Sequence, residues 1–238
     1  MLNIQPTTKR EIDEFLKEDL SKRGNVDSVI LCGSQATGNA TERSDIDLCY
    51  IGEMTAFSRE SFFYGSREFQ LMMAPWSWYH HVVSEYERKG NNGTITMMLA
   101  KGHCLRGCTD AWRDLRQLAC HYYDVGPNPP SAEEIRKIRV RISDLWGDYC
   151  DKVDSRERRW LYMGILQQCV EALFILRQWW ATKTKYQLEE IRSRDGTMAN
   201  LVETCLDSLE CNEHALYDLC SHVLTPVGGW MKEPWRAQ

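Results

Sequence analysis

Apolar positions change period several times along the first 125 residues, and each change predicts an element. Ile12, Phe15, Leu16 and Leu20 recur at helical spacing, so a helix is expected over about residues 9–23, closed by Gly24-Asn25. Three short apolar runs follow and predict strands: residues 26–32 (VDSVILC), 44–52 (SDIDLCYIG) and 67–74 (REFQLMMA). Residues 75–90 (PWSWYHHVVSEYERKG) read as a helix with Pro75 in its first turn, stopped by Gly90-Asn91-Asn92-Gly93. The Pro and Gly content of residues 121–131 (HYYDVGPNPPS) marks a linker, after which strand signals cease. From Ser131 to Trp230 the pattern is that of about four or five helices. One is a long apolar segment, residues 167–188 (QQCVEALFILRQWWATKTKYQL), with lysines towards its end. The layout predicts an α+β fold: a mixed sheet with helices in residues 1–125, then an all-α bundle in residues 131–238.

Composition narrows the partners. Of 238 residues, 43% are hydrophobic and 26% charged, which is the balance of a chain with a packed core. A net charge of -5 weighs against a protein whose main task is to grip a nucleic acid, since that affinity rests on clustered Lys and Arg. The first twenty residues are charged and amphipathic, without the apolar stretch of a signal peptide. No run approaches the 18 or so apolar residues of a membrane span, and a cytoplasmic protein is the expectation. Ten cysteines occur without a Cys-x-x-Cys pair. His103, Cys104, Cys108 and His121 fit no common zinc spacing, so reduced and mostly buried thiols are expected.

Chemistry concentrates between Leu31 and Gly52. A strand delivers Gly33-Ser34 to a tight turn from which SQATGNA can begin a short helix. Backbone N–H groups there suit a phosphate, the glycine admits close approach, and the serine hydroxyl adds a donor. Asp45 and Asp47 stand two apart on the next strand, so both carboxylates face one side while Ile46 and Leu48 face the other. Carboxylates beside a phosphate cradle are the donors of Mg²⁺-dependent phosphoryl or nucleotidyl transfer.

The combination Gly33-Ser34-Gln35-Ala36-Thr37-Gly38 and Ser44-Asp45-Ile46-Asp47 resembles the nucleotidyltransferase superfamily related to DNA polymerase β. In layout it is similar to the small bacterial members that include aminoglycoside nucleotidyltransferases. The resemblance implies that Gly33, Ser34 and Ser44 hold a nucleoside triphosphate and that Asp45 and Asp47 bind Mg²⁺, two ions in the usual arrangement. It also implies a third carboxylate, as metal ligand or base, for which Glu68 on the third strand is the candidate. Glu171, in the long helix of the second half, is the rival base. Lys183 and Lys185 are candidates for contact with the triphosphate; a helix C-terminus decorated with lysines explains them equally well. Trp76, Trp78, Tyr79 and His80 read as core or cleft wall. The implied acceptor is a small molecule, which an antibiotic would fit, and a homodimer is left open. Two other readings stand beside it. One is an antitoxin of the minimal nucleotidyltransferase type, or a fused toxin half through Arg116 and His121; the other is transfer onto RNA or a protein.

Overall fold

The computed structural model describes residues 4–207 and 211–232. The chain divides into two compact units, with the boundary between Pro127 and Asn128.

In the first unit α1 spans Pro6–Leu20. Proline at its first position loses no helical hydrogen bond, so the helix begins earlier than apolar spacing alone suggests. The strands β1 (Val26–Leu31), β2 (Ile46–Gly52), β3 (Ser58–Tyr64), β4 (Arg67–Ala74) and β5 (His103–Arg106) form one mixed sheet in the order β3-β4-β2-β1-β5. The β2–β4 pair is parallel, and the β1–β2, β1–β5 and β3–β4 pairs are antiparallel. A one-turn α2 (Gly33–Thr37) links β1 towards β2. Helix α3 (Trp76–His81) runs through a π-helical turn at Val82–Tyr86 into α4 (Glu87–Gly90), and α5 (Thr94–Lys101) and α6 (Asp110–Val125) complete the unit.

Each face of the sheet carries a core. Ile12, Phe15 and Leu16 of α1 pack on Leu31, Ile46, Leu48 and Phe69, with the Phe15 and Phe69 rings 4.2 Å apart at their centres. The opposite face places Ile30, Cys49 and Ile51 against Tyr79, Leu99 and Leu115 of the helices that follow β4. This is why Leu48 to Ile51 read as an unbroken apolar run: β2 is covered on both sides. Two strands lay outside the sequence expectation. β3 is a largely exposed edge whose first half, Ser58-Arg59-Glu60-Ser61, has no apolar alternation, and β5 is only four residues long. Their strand character comes from pairing with β4 and β1. The segment read as a linker also starts later than expected, because α6 continues through HYYDV to a turn at Gly126.

The second unit contains α7 (Ala132–Asp151), α8 (Ser155–Leu176), α9 (Thr184–Arg194), α10 (Gly196–Asp207) and α11 (Glu213–Leu224). Ser131 and Glu134 form a capping box at the start of α7, and Asp154 accepts from Arg156 and Glu157 N–H at the start of α8. Ile165, Cys169 and Leu173 of α8 pack with Leu216, Leu219 and Val223 of α11 in one buried core. The long apolar segment is two helices, a correction to the sequence reading. Helix α8 stops at Leu176, Gln178 turns left-handed (φ 55°), and Trp179 N–H reaches back to Phe174 O at 2.8 Å while Gln178 N–H reaches Ile175 O at 3.1 Å. Among the described residues no helix is long and apolar enough to cross a membrane.

Candidate active site

The site is assembled where β1 ends beside the start of β2. Cys32 N–H donates to Asp47 O at 2.9 Å, adding one rung to the β1–β2 ladder beyond Leu31. The next residue, Gly33, has φ +63°, a conformation costly for any residue with a Cβ. A Cβ placed there would lie 2.0 Å from Asp47 Oδ2. Two independent constraints therefore demand glycine, and both come from bringing this backbone against the Asp47 carboxylate. Helix α2 closes after one turn at Gly38 (φ +79°), whose N–H returns to Ser34 O.

A turn then aims the first aspartate. Ser44 N–H donates to Thr41 O at 3.0 Å and Thr41 N–H donates to Ser44 Oγ at 2.8 Å. The Ser44 hydroxyl thus serves its own turn, at the start of the strand that carries the carboxylates. Ile46 and Leu48 are wholly buried on the α1 face, so Asp45 and Asp47, both half-buried, project on the other.

Strand β4 runs parallel beside β2 and sets Gln70 in register with Asp47. Gln70 Nε2 donates to Asp45 Oδ2 at 2.8 Å and to Glu68 Oε1 at 3.3 Å, while Arg59 Nη2 donates to Gln70 Oε1 at 2.5 Å. Ser61 Oγ also donates to Glu68 Oε1, at 2.5 Å. The structure thus joins Glu68 to Asp45 through Gln70, a residue that sequence reasoning passed over. The available signal was parity: Gln70 shares a strand face with Glu68, one step deeper into the sheet.

Two aspartates fit a magnesium ion. Gln70 engages one oxygen of Asp45, and Mg²⁺ characteristically takes one or two protein carboxylates and fills its other positions with phosphate and water. Among the described residues no group of three or more His, Cys, Asp and Glu side chains could hold a metal ion, so Glu68 does not join Asp45 and Asp47 in such a group. Cys32, flanking the glycine turn, lies 3.5 Å from Cys49 sulfur to sulfur, and burial pushes its thiol well above the usual range. All ten cysteines are free thiols, five of them buried.

The aromatic cluster belongs to the core of this face: Tyr79 is wholly buried in it, Trp76 and Trp78 pack against it, Trp76 Nε1 donates to Asp27 Oδ2 at 2.9 Å, and Trp78 stacks on Phe57 at 4.4 Å. In the second unit Glu171 is exposed and accepts from Gln167 Nε2 at 2.9 Å and Gln168 Nε2 at 2.7 Å, on its own helix. Lys183 and Lys185 do not decorate a helix C-terminus. Lys183 occupies the N-cap position of α9 without a side-chain cap, and Lys185, the second residue of the helix, lies over the Tyr186 ring at 4.7 Å. Arg116 and His121 are exposed on α6, where five residues at about 100° each place them on different sides of the helix.

The first unit thus sets a glycine-bearing turn against alternating aspartates on a mixed sheet. Residues 10–78, within the first unit, match the family described as a nucleotidyltransferase domain. Among solved structures the chain is similar to a nucleotidyltransferase-like protein from Exiguobacterium sibiricum 255-15. The two are 16% identical over 92% of this chain and 75% of that one, with a TM-score of 0.47. No curated protein matches the chain.

Proposed function

We propose that the protein moves a nucleoside monophosphate from a nucleoside triphosphate to a hydroxyl of a small-molecule acceptor, with Mg²⁺ and with release of pyrophosphate. The observation that carries this reading is the pinning of Gly33 against the Asp47 carboxylate, beside Asp45 on the same strand face. An open backbone beside two carboxylates lets phosphate oxygens approach both at once. Gly33 and Ser34 donate to the β- and γ-phosphate oxygens, and Asp45 and Asp47 hold the metal. When bound, Mg²⁺ neutralises charge on the triphosphate and on the departing pyrophosphate. Glu68 accepts the proton of the acceptor hydroxyl as its oxygen bonds to the α-phosphorus. The bond from that phosphorus to the bridging oxygen breaks, and pyrophosphate carries away the electron pair. Gln70 orients Asp45 and Glu68 together through its amide. An antibiotic hydroxyl is one acceptor of the proposed class.

The test is pyrophosphate release by purified protein with Mg²⁺, each triphosphate in turn and a panel of hydroxyl-bearing small molecules. Release with one acceptor is expected, and Asp45→Asn or Asp47→Asn should abolish it while leaving the thermal unfolding midpoint near that of wild type. No release with any pair overturns the small-acceptor reading. Turnover of either variant within tenfold of wild type overturns the assignment of the metal ligands.

A further inference from the structure

His103 opens β5 and stands in register with Leu31 at the end of β1. Leu31 packs on the α1 face of the sheet, and residues directly opposite on paired strands share a face. His103 therefore lies on the α1 side, away from the carboxylates. Its Nε2 meets Ala36 O of α2 at 3.1 Å. As donor in this bond, a neutral ring carries its proton on Nε2.

Helix α2 is a single turn, so its last carbonyls lack helical partners. Gly38 N–H and Asn39 N–H both return to Ser34 O, while Ala36 O receives the imidazole from β5. The turn that carries Gly33 and Ser34 is thereby held from both faces of the sheet. On one face Gly33 lies against the Asp47 carboxylate; on the other His103 holds Ala36. The imidazole itself has a fixed base. A Cβ on the preceding residue, Gly102, would lie 2.5 Å from Met98 O, 2.7 Å from Ile30 Cγ2 and 3.3 Å from Leu31 O. The chain entering β5 is thus pinned between α5 and the end of β1.

We propose that His103 is a positioning residue for the nucleoside triphosphate. It touches no substrate; it holds α2 so that the Gly33 and Ser34 donors keep their place beside Asp45 and Asp47. This rests on the reading of that site as a triphosphate site. The loss of one hydrogen bond sets a scale of about tenfold in affinity.

The test titrates ATP, GTP, CTP and UTP, each with Mg²⁺, calorimetrically into the full chain and carries the tightest binder to three variants. His103→Leu removes the donor, His103→Asn moves it back to the place of Nδ1, and His103→Gln keeps it at the place of Nε2. His103→Leu and His103→Asn should each weaken triphosphate binding about tenfold, and His103→Gln should stay within threefold of wild type. Amide hydrogen exchange reads the turn without any ligand. Gly38 and Asn39 should exchange about tenfold faster in His103→Leu and His103→Asn and at nearly the wild-type rate in His103→Gln, with Val29 and Tyr50 of the β1–β2 ladder unchanged in all three. If His103→Leu fails to fold, His103→Asn against His103→Gln decides. Binding of none of the four triphosphates to the wild-type chain overturns the triphosphate site itself, whatever the exchange shows. Wild-type affinity in both His103→Leu and His103→Asn overturns only the role of His103, as does a loss that His103→Gln does not restore or faster exchange throughout the sheet.

Discussion

Replacing Gly33 by alanine should separate the effect of backbone strain from that of a displaced carboxylate. The new Cβ would start 2.0 Å from Asp47 Oδ2, 3.0 Å from its Cγ and 3.3 Å from its Cβ. Ordinary van der Waals contact needs roughly 3.5 Å, so the carboxylate oxygen must retreat by more than about 1 Å. The Asp47 Cβ belongs to a strand hydrogen-bonded on both sides, so the side chain moves and the strand stays. The left-handed φ of +63° adds about 1–2 kcal/mol of strain. A shift on the order of 1 Å at a reacting centre costs on the order of 10² in rate. Gly38→Ala is the matched control: it carries the same left-handed strain at φ +79°, but its Cβ would meet nothing within 4 Å. Both variants should lose a similar few degrees of melting temperature. Only Gly33→Ala should also lose about a hundredfold in pyrophosphate release, measured at saturating triphosphate. A Gly33→Ala enzyme retaining a third of wild-type turnover would refute the reasoning, as would an equal loss in Gly38→Ala.

Two further outcomes are expected. If Glu68 takes the acceptor's proton, Glu68→Gln should keep triphosphate affinity but cut the single-turnover rate by about 10² to 10⁴. Gln70→Leu, which frees Asp45 and Glu68 from their shared donor, should instead raise the Mg²⁺ concentration for half-maximal rate; a normal rate for Glu68→Gln moves attention to Glu171→Gln. Among the thiols, Cys108 and Cys150 are exposed, whereas Cys32 and Cys49 are fully buried and Cys104 is pushed up to about 11 by burial. Since the thiolate is the reacting form, a disulfide reagent at pH 8 should modify exposed Cys108 first in the native protein, followed by Cys150, whose thiol partial burial pushes up. Modification of Cys32 at the same rate would contradict the packing of the β1–β2 face.

What could be read from the sequence follows the range of the forces involved. The glycine turn and the two aspartates were legible because their spacing alone sets chain direction and strand face. Strand β3 was not. Its Ser58-Arg59-Glu60-Ser61 half carries no apolar alternation, and it is a strand because β4 offers an edge, a fact about residues nine or more positions away. Gln70 escaped for a related reason. Nothing in REFQLMMA distinguishes it from a solvated glutamine until parallel pairing sets it in register with Asp47 and within 2.8 Å of Asp45.

The break between α8 and α9 shows the limit most clearly. Glycine ordinarily announces a left-handed helix stop, and here Gln178 occupies that position. The stop is held by what surrounds it. Trp179 packs edge-on against Phe174 at 5.7 Å, and its N–H closes the terminal turn on Phe174 O. The left-handed penalty at Gln178 is of order 1 kcal/mol, comparable to what one aromatic contact of this kind contributes. The local propensity is therefore offset by the ring contact together with the backbone hydrogen bonds that close the turn. The result moves Lys183 and Lys185 from the end of one helix to the beginning of another, where the helix dipole disfavours a cation. Dipole decoration, which accounts for lysines at a helix C-terminus, does not account for these two; both are exposed to water, and Lys185 lies over the Tyr186 ring.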